Sequence, residues 1–497
     1  MARRRRRSAI EDPTLAEVYE ELRSDFRAAK DSRFVSRLTG TNPSGSGADY
    51  HYRNESQFLH MIERARHYQR DDQIVGQGIR RLTANIVQDG FSLDIRTGDE
   101  GLDEALKVRW DAWSTDPDQC HSEGELTWHQ MENLVFSTHL VDGDLLSLPL
   151  RAGNLQFMEA HRLRTPRNTR RNVVHGVLLD ESNARRREYW VTKENLDPHK
   201  TLYRVSDIHP YAARGPDGNR QVLHLYNPYR FSQRRGITAL APVSDTVGMH
   251  DDIQFAKLVQ VQTASLIAIL HELGPNGPPG VPSAQKGPQE NENLEGFTRT
   301  IEQMAAGLEI FGRPGETLKA FSPNLPNPEF FPHATLILTF IAVNLDMPVQ
   351  MLLLDPSQTN FSSWRGAMDQ AKMRFRQLQR WLRESFDSPV YRWKFRQWAA
   401  EDKSIRDRLD IALRHRWMPP SFPYIQPLDD VSADVLEVRN GQNSQRRVQA
   451  KHGRDWVELA NEIPEDNALL IDNASAWAVK MKKKYPDKRK AFGIPYT

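Results

Sequence analysis

The most regular hydrophobic pattern in the chain lies between residues 330 and 400. Its apolar side chains recur at alternating steps of four and three and so share one face of a helix. They are Trp364, Met368, Ala371, Phe375, Leu378 and Leu382. The basic residues that lie off this face are Lys372, Arg374, Arg376, Arg380 and Arg383. The pattern predicts one helix that packs along one side, with Ser362 and Ser363 as its N-caps because a hydroxyl accepts from free first-turn amides.

Patterns before residue 240 alternate between helical and strand periods. Helical periodicity covers 56–87, 102–113 and 128–140. Alternating or short apolar runs predict strands at 91–95, 145–150, 155–158, 173–179, 187–192 and 221–226. A tight turn, Asp142-Gly143-Asp144, separates the third helix from the second strand. This part of the chain is predicted to be an α+β domain with antiparallel hairpins.

Longer helices are predicted after Gly236. An interrupted apolar pattern from Leu240 predicts a helix that ends near Glu272, with Pro242 tolerated in its first turn. The proline- and glycine-rich passage 274–282 follows, and no regular structure is expected in it. The expected fold class is therefore α+β and mainly α-helical.

Composition limits the partners that this chain can have. With 67 basic and 65 acidic residues among 497, its net charge is only +2, so any basic surface is local. The single cysteine, Cys120, excludes an intrachain disulfide and a cysteine-held zinc. The apolar segment 336–343 is far shorter than the roughly 20 residues of a membrane-spanning helix. No membrane partner is expected.

No string in the chain has the pattern of a catalytic or cofactor site. Neither a P-loop nor a Gly-x-Ser-x-Gly elbow occurs. His250, Asp251 and Asp252 are consecutive metal-ligand types, but consecutive helical residues point about 100° apart and do not converge on one ion. The aromatic segment 381–398 is predicted to be core, with stacking on nucleic-acid bases as the alternative. No enzyme activity, cofactor or metal is expected.

Nine short strings carry a family resemblance. In chain order they are Arg64–Arg70, Asn85–Gly90, Asp142–Asp144, Met158–Leu163, His175–Val177, Tyr189–Val191, His224–Tyr226, Gln233–Ile237 with Leu240–Pro242, and Asn360–Arg365. Their order and spacing resemble the portal proteins of tailed bacteriophages, within them the lambda-like portal family. The motif positions carried over, all with structural roles, are Gln233, Arg235, Gly236, Pro348, Asn360, Phe361, Ser362, Ser363 and Arg365.

Two positions depart from the family pattern. The family more often has tyrosine where Phe361 stands and a small residue where Trp364 stands. The first change keeps an aromatic anchor. The second places a large side chain on the packed face of the predicted helix, which implies a different neighbour there.

The resemblance implies a portal fold with wing, stem, clip and crown, assembled as a ring of usually twelve copies at one capsid vertex. Its parts would be an N-terminal arm and linker (1–50), an α+β wing (51–235), stem helices, clip and the approach to the channel constriction (236–345), a long helix linking channel and wing (346–400), and a C-terminal crown and tail (401–497). The channel or clip candidates are Asn276, Lys286, Lys319, Asn324 and Asn327.

The resemblance also implies partners. These are copies of the chain itself, the large terminase subunit, the major capsid protein or scaffold, a head-tail connector or adaptor protein, and double-stranded DNA that passes without sequence-specific contacts during packaging and ejection. The expected location is the portal vertex of the virion, after assembly in the host cytoplasm. Two alternatives stay open at this point: a metal-dependent nuclease that uses His250, Asp251 and Asp252, and a monomeric capsid-assembly factor.

Overall fold

Helices make up most of the part of the chain that the structure describes. The computed structural model describes residues 55–166, 173–193, 203–231, 233–271, 289–294, 297–302, 308–311, 330–355, 357, 359–422, 427–451, 454 and 456–484. The helices are α1 (Glu55–Asp71), α2 (Gln73–Ile86), α3 (Glu100–Thr115), α4 (Pro117–Cys120), α5 (Trp128–Asp142), α6 (Ser244–Leu266), α7 (Phe330–Asn344), α8 (Val349–Leu353), α9 (Phe361–Leu382), α10 (Ser388–Glu401), α11 (Lys403–Arg406), α12 (Leu409–Ala412), α13 (Pro427–Arg439), α14 (Gln445–Lys451) and α15 (Trp456–Lys484).

The strands are short and form small sheets. They are β1 (Ser92–Ile95), β2 (Asp144–Pro149), β3 (Leu155–Glu159), β4 (Val173–Val174), β5 (Val177–Leu179), β6 (Arg186–Thr192), β7 (Ile208–Ala212), β8 (Leu223–Tyr226), β9 (Ile267–His271), β10 (Gln289–Leu294), β11 (Phe297–Glu302), β12 (Leu308–Phe311) and β13 (His415–Met418). The sheets have the orders β1-β13, β3-β2-β8, β4-β5-β6-β7, β10-β11 and β12-β9. The predicted antiparallel hairpins are confirmed for β2-β3 and β5-β6. The single strand predicted over 173–179 is wrong, because His175 and Gly176 have positive φ values and turn the chain between the antiparallel β4 and β5. The antiparallel pair β10-β11 was not predicted.

Backbone contacts divide the chain into two compact units. The smaller unit comprises residues 1–60, 163–210 and 228–235. It contains β4, β5, β6 and the start of β7, with a small core of Trp190, Tyr203 and Ile208. The patterns in the sequence missed β7, because its residues alternate without a clear apolar face.

The larger unit comprises residues 61–162, 211–227 and 236–497 and has one extensive apolar core. The face predicted on α9 is buried there: Ala371, Phe375, Leu378 and Leu382 are inaccessible, and Trp364 and Met368 pack on the same core. The aromatic segment 381–398 is also largely core, as predicted, since Tyr391, Phe395 and Trp398 are buried.

Two further local predictions were wrong. The N-cap of α9 is Asn360, whose side-chain oxygen accepts from the amide of Ser363 at 2.8 Å, and the two serines lie inside the first turn. Asparagine caps because its carbonyl reaches the free amides from an extended backbone. The helix expected to end near Glu272 ends at Leu266, and the backbone continues as β9. No helix in the described part of the chain has the length and apolar character to cross a membrane.

Candidate functional site

Strings that are far apart in the sequence meet at the turn between α5 and β2. Gly143 ends α5 with a positive φ of 88°, and its amide donates to the carbonyl of His139 at 3.0 Å. A Cβ on Gly143 would lie 2.4 Å from the backbone carbon of Ile237. Only glycine combines this conformation with so close a backbone approach. The turn therefore brings the segment after Gly236 against the end of α5.

The acidic residue before this glycine is buried and pairs with a half-buried arginine. Asp142 is almost inaccessible, and its Oδ1 accepts from Nε of Arg66 at 2.8 Å, while a second guanidinium nitrogen reaches Oδ2 at 2.5 Å. The same guanidinium donates to Glu159 at 3.0 Å. Burial raises the pKa of Asp142, and the hydrogen bonds from Arg66 oppose that rise. Without Arg66 the buried Asp142 carboxylate would lose its charged partner, which is costly. The pair therefore stabilises the contact between α1 and the turn.

Asp144, the acidic residue after the glycine, binds β8 and the segment that begins at Gly236. Asp144 is inaccessible, and its Oδ2 lies 2.9 Å from Nε2 of His224 and accepts from the amide of Gly236 at 2.9 Å. A Cβ on Gly236 would lie 2.0 Å from the carbonyl oxygen of Gly143. The Asp144 carboxylate thus joins β2, β8 and the entry to the next segment in one buried network.

Hydrogen bonds connect the segment after Gly236 to α5 and α7, and the start of α6 to α1. The amide of Ala239 donates to the carbonyl of Leu140 at 2.9 Å, and Asn344 at the end of α7 donates to the carbonyl of Ala239 at 2.7 Å. The hydroxyl of Tyr68 donates to the carbonyl of Ser244, the first residue of α6, at 3.0 Å. The end of α7 is therefore bound to the segment that packs on the turn, and the start of α6 is bound to α1.

The helices α6 and α7 pack against each other, and each also exposes apolar side chains. On α7, Leu336, Phe340 and Val343 recur at steps of four and three and form an outer face turned roughly 100° from the buried Ile337 and Ile341. Phe340 is 53% exposed in the subunit. On α6 the exposed apolar residues include Met249, Phe255 and Leu258. A helix that is apolar on most sides is normally buried, so α7 presents uncovered apolar surface. On α6 the exposed apolar residues alternate with exposed polar ones such as Asp251 and Asp252.

The C-terminal helices show a second uncovered surface. Leu428, Val431 and Val435 lie at steps of three and four on α13 and are exposed. On the 29-residue α15, Ile463, Leu470 and Trp477 are exposed at steps of seven, which is the spacing of a helix-packing seam.

Two of the remaining motif residues, Gln233 and Arg235, lie in the smaller unit. In the smaller unit, Gln233 accepts from the amide of Tyr229 at 2.7 Å and donates to the carbonyl of Arg235 at 2.8 Å, which closes its loop. The Arg235 side chain is buried 4.8 Å above the ring of Phe58 and donates to the carbonyl of His175 at 2.9 Å. These residues are structural elements of that unit.

In the larger unit, Pro348 is the N-cap of α8, and its carbonyl accepts from Met351 at 3.0 Å. Arg365 donates to Asp430 of α13 at 2.9 Å, and Phe361 is exposed. Ser362 and Ser363 are in the exposed first turn of α9. The channel or clip candidates Asn276, Lys286, Lys319, Asn324 and Asn327 lie outside the described residues.

The three residues of the nuclease alternative do not converge. His250 is buried and its Nε2 lies 2.7 Å from Nε2 of Gln254, whereas Asp251 and Asp252 are exposed. Within the described ranges no group of three His, Cys, Asp or Glu side chains has the geometry to hold a metal ion.

A buried pair of carboxyl groups was not apparent in the sequence. Glu132 of α5 and Asp387, at the end of the π-helical turn before α10, are both inaccessible and lie close enough to interact. Neither oxygen of Asp387 receives a donor from the surrounding protein. Burial raises the pKa of both groups, and for Asp387 the nearby Glu132 charge raises it further. A proton held between them supplies the missing donor.

Replacing Asp387 by asparagine is expected to stabilise the protein at pH 8 more than at pH 5.5. Because the folded pair has a raised pKa, it keeps a proton that the unfolded chain loses, so stability falls by ~1.4 kcal/mol per proton and pH unit as pH rises from the unfolded pKa to the folded pKa. In this variant the side-chain amide of the asparagine donates a hydrogen bond to Glu132, so no shared carboxyl proton is needed. Urea unfolding at both pH values measures the difference, with the exposed Asp410→Asn as the control. Equal pH dependence in wild type and Asp387→Asn would contradict the shared proton.

Comparison with known proteins places the chain in a family context. A family model described as phage portal protein, lambda family, matches residues 35–379. A protein named probable portal protein, from Halomonas phage phiHAP-1, is 22% identical over 488 residues, covering 92% of this chain and 88% of that one.

Among solved structures, similar chains come from gene transfer agent particles. One, from the virion of a native particle, has a TM-score of 0.40 and 12% identity and covers 82% of this chain and 96% of that chain. Another, from the neck of a native particle with C12 symmetry, has a TM-score of 0.40 and 11% identity, with 82% and 97% covered.

Proposed function

Because the chain belongs to the lambda family of phage portal proteins, we propose that it assembles as a ring, of twelve copies, at one vertex of a capsid. The central opening of the ring is the channel for DNA packaging and ejection. The observation that carries the proposal is the helix pair α6–α7, which is held by the segment after the motif turn and by α1, and which exposes the apolar outer face of α7.

A ring explains why this outer face is apolar. In a closed ring each subunit presents one face to the next copy and receives another in return, so a helix surface that is uncovered in one subunit is covered in the assembly. Leu336, Phe340 and Val343 would then pack on a neighbouring α6–α7 pair. The exposed seam of α15 would be covered in the same way by its copies around the ring.

The charge of the chain suits a channel through which DNA moves. Each phosphate that a protein neutralises adds affinity, and base contacts add sequence preference, so both would retain the DNA. A net charge of +2 on 497 residues provides little general attraction. Double-stranded DNA therefore passes as a non-specific partner, and no catalytic role is assigned to the chain.

The parts of the chain take the roles of a portal subunit. Residues 51–235 form the wing, 236–345 the stem, the clip and the approach to the constriction, and 346–400 the helix that links channel and wing. Residues 401–497 form the crown and tail, and 1–50 the arm. Terminase, the major capsid protein or scaffold, and a head-tail connector are the proposed docking partners. The ring assembles in the host cytoplasm and ends at the portal vertex of the virion.

Electron microscopy of the purified chain tests this function. End-on views should show a ring with a central opening wide enough for duplex DNA. The same sample, incubated with plasmid DNA and magnesium, should leave the DNA intact. Dispersed particles of single-subunit size would support the monomeric assembly factor. Cleavage lost in Asp251→Ala with Asp252→Ala would support the nuclease.

A further inference from the structure

A cationic cleft in the larger unit has no role in the function proposed above. It encloses about 870 Å³ and is bounded by the β2-β3 turn, the loop 214–221 and one face of α10. The residues that α10 contributes share that face because they lie three, four, seven and eight positions apart: Pro389, Arg392, Trp393, Arg396 and Gln397. The volume is in the range of sites for small or short ligands.

The walls of this cleft are held in place by hydrogen bonds. Gln397 donates to the carbonyl of Arg151 at 2.9 Å, which ties α10 to the β2-β3 turn. Arg396 donates to the side chain of Asn219 at 2.7 Å, which ties α10 to the loop 214–221. Three separate elements are therefore fixed around one concave surface before any ligand binds, which lowers the entropic cost of binding.

The cleft concentrates positive charge. Five arginines line it, against the two carboxylates Asp217 and Glu384, although the whole chain carries only +2. Both carboxylates have local partners, since Asp217 accepts from Asn219 and Glu384 lies 3.5 Å from Arg383. Arg151, Arg220 and Arg392 are exposed and form no ion pair with the described residues. Guanidinium groups of this kind bind carboxylates or phosphates through paired hydrogen bonds.

We propose that this cleft binds an acidic, extended peptide segment of a partner protein. The amide side chain of Gln221 suits the backbone of a peptide, and the half-buried Trp393 offers an apolar surface to its side chains. Duplex DNA fits less well, because it carries one charge per ~1.7 Å of its axis and would place phosphates beside Asp217 and Glu384. A peptide with spaced carboxylates avoids both groups.

Binding of a fluorescein-labelled peptide of alternating glutamate and glycine to the full chain tests the proposal by fluorescence anisotropy. Arg151→Glu with Arg392→Glu should weaken binding at least about tenfold, which corresponds to ~1.4 kcal/mol. The matched control is Arg80→Glu with Arg439→Glu, which makes the same change in net charge at exposed sites outside the cleft and should bind as the wild type does. Thermal unfolding of both variants establishes that each is folded, and Arg151→Ala with Arg392→Ala replaces the reversal if it is not.

Competition distinguishes the classes of ligand. An unlabelled acidic peptide should displace the probe at lower concentration than a duplex or single-stranded oligonucleotide of equal charge. Equal loss of binding in the cleft variant and its control would overturn the proposal in favour of general electrostatic attraction. Stronger competition by either oligonucleotide would overturn it in favour of a nucleic-acid site.

Discussion

Phe340→Asp is expected to leave the subunit folded and to abolish its assembly into rings. Phe340 is 53% exposed in the subunit, and changes at exposed positions usually alter stability by less than about 0.5 kcal/mol. In the proposed ring the same side chain is covered, where an unpaired carboxylate costs several kcal/mol. A loss of ~4 kcal/mol weakens each contact about a thousandfold. Circular dichroism measures the folding of the variant, and size-exclusion chromatography its assembly.

Val108→Asp is the matched control for this substitution. Val108 lies on α3, is 64% exposed and is far from α6 and α7 in the sequence. The same change from an exposed apolar side chain to a carboxylate should leave assembly unaffected there. Rings formed normally by Phe340→Asp would show that the outer face of α7 is not a subunit contact.

Gly236→Ala is expected to destabilise the larger unit by roughly 3 kcal/mol, the upper part of the range for overpacked sites. The new Cβ would lie 2.0 Å from the carbonyl oxygen of Gly143 and 2.9 Å from Cβ of Asp144. Both of these atoms belong to the turn between α5 and β2, which is held by hydrogen bonds. The backbone at residue 236 must therefore move, and the hydrogen bond from its amide to Asp144 must lengthen. The midpoint of urea unfolding measures the loss.

Gly366→Ala should shift that midpoint in the opposite direction. Gly366 lies within α9, and no atom stands within 4 Å of its Cβ position. Alanine in an exposed helix stabilises by roughly 0.5–1 kcal/mol relative to glycine. Equal effects of the two substitutions would mean that the close approach at Gly236 does not constrain the fold.

The sequence predicts local structure best, such as which face of a helix is buried. The buried face of α9 follows from spacing alone, because the period of a helix places Phe375 and Leu378 on one side whatever they pack against. The cap of the same helix was misplaced by a few residues, since Asn360 and the two serines are all competent caps and the backbone conformation decides among them.

Contacts between residues that are far apart in the sequence cannot be predicted from hydrophobic patterns. Arg66 pairs with Asp142 across 76 residues and His224 meets Asp144 across 80, and periodicity has no information on such pairs. The family resemblance identified the strings but not that they converge on one turn. The carboxyl pair Glu132–Asp387 had no signal at all, because its burial arises from the packing of α5 on the turn before α10.

The absolute mass of the purified chain in solution, measured by light scattering over a range of concentrations, tests the central claim most directly. One subunit has a mass of 57.2 kDa. Assembly through the outer faces of α6 and α7 predicts a stable species of about twelve times that mass, reduced to one subunit in Phe340→Asp. A wild-type chain that stays at the mass of one subunit at the highest concentration would contradict the ring.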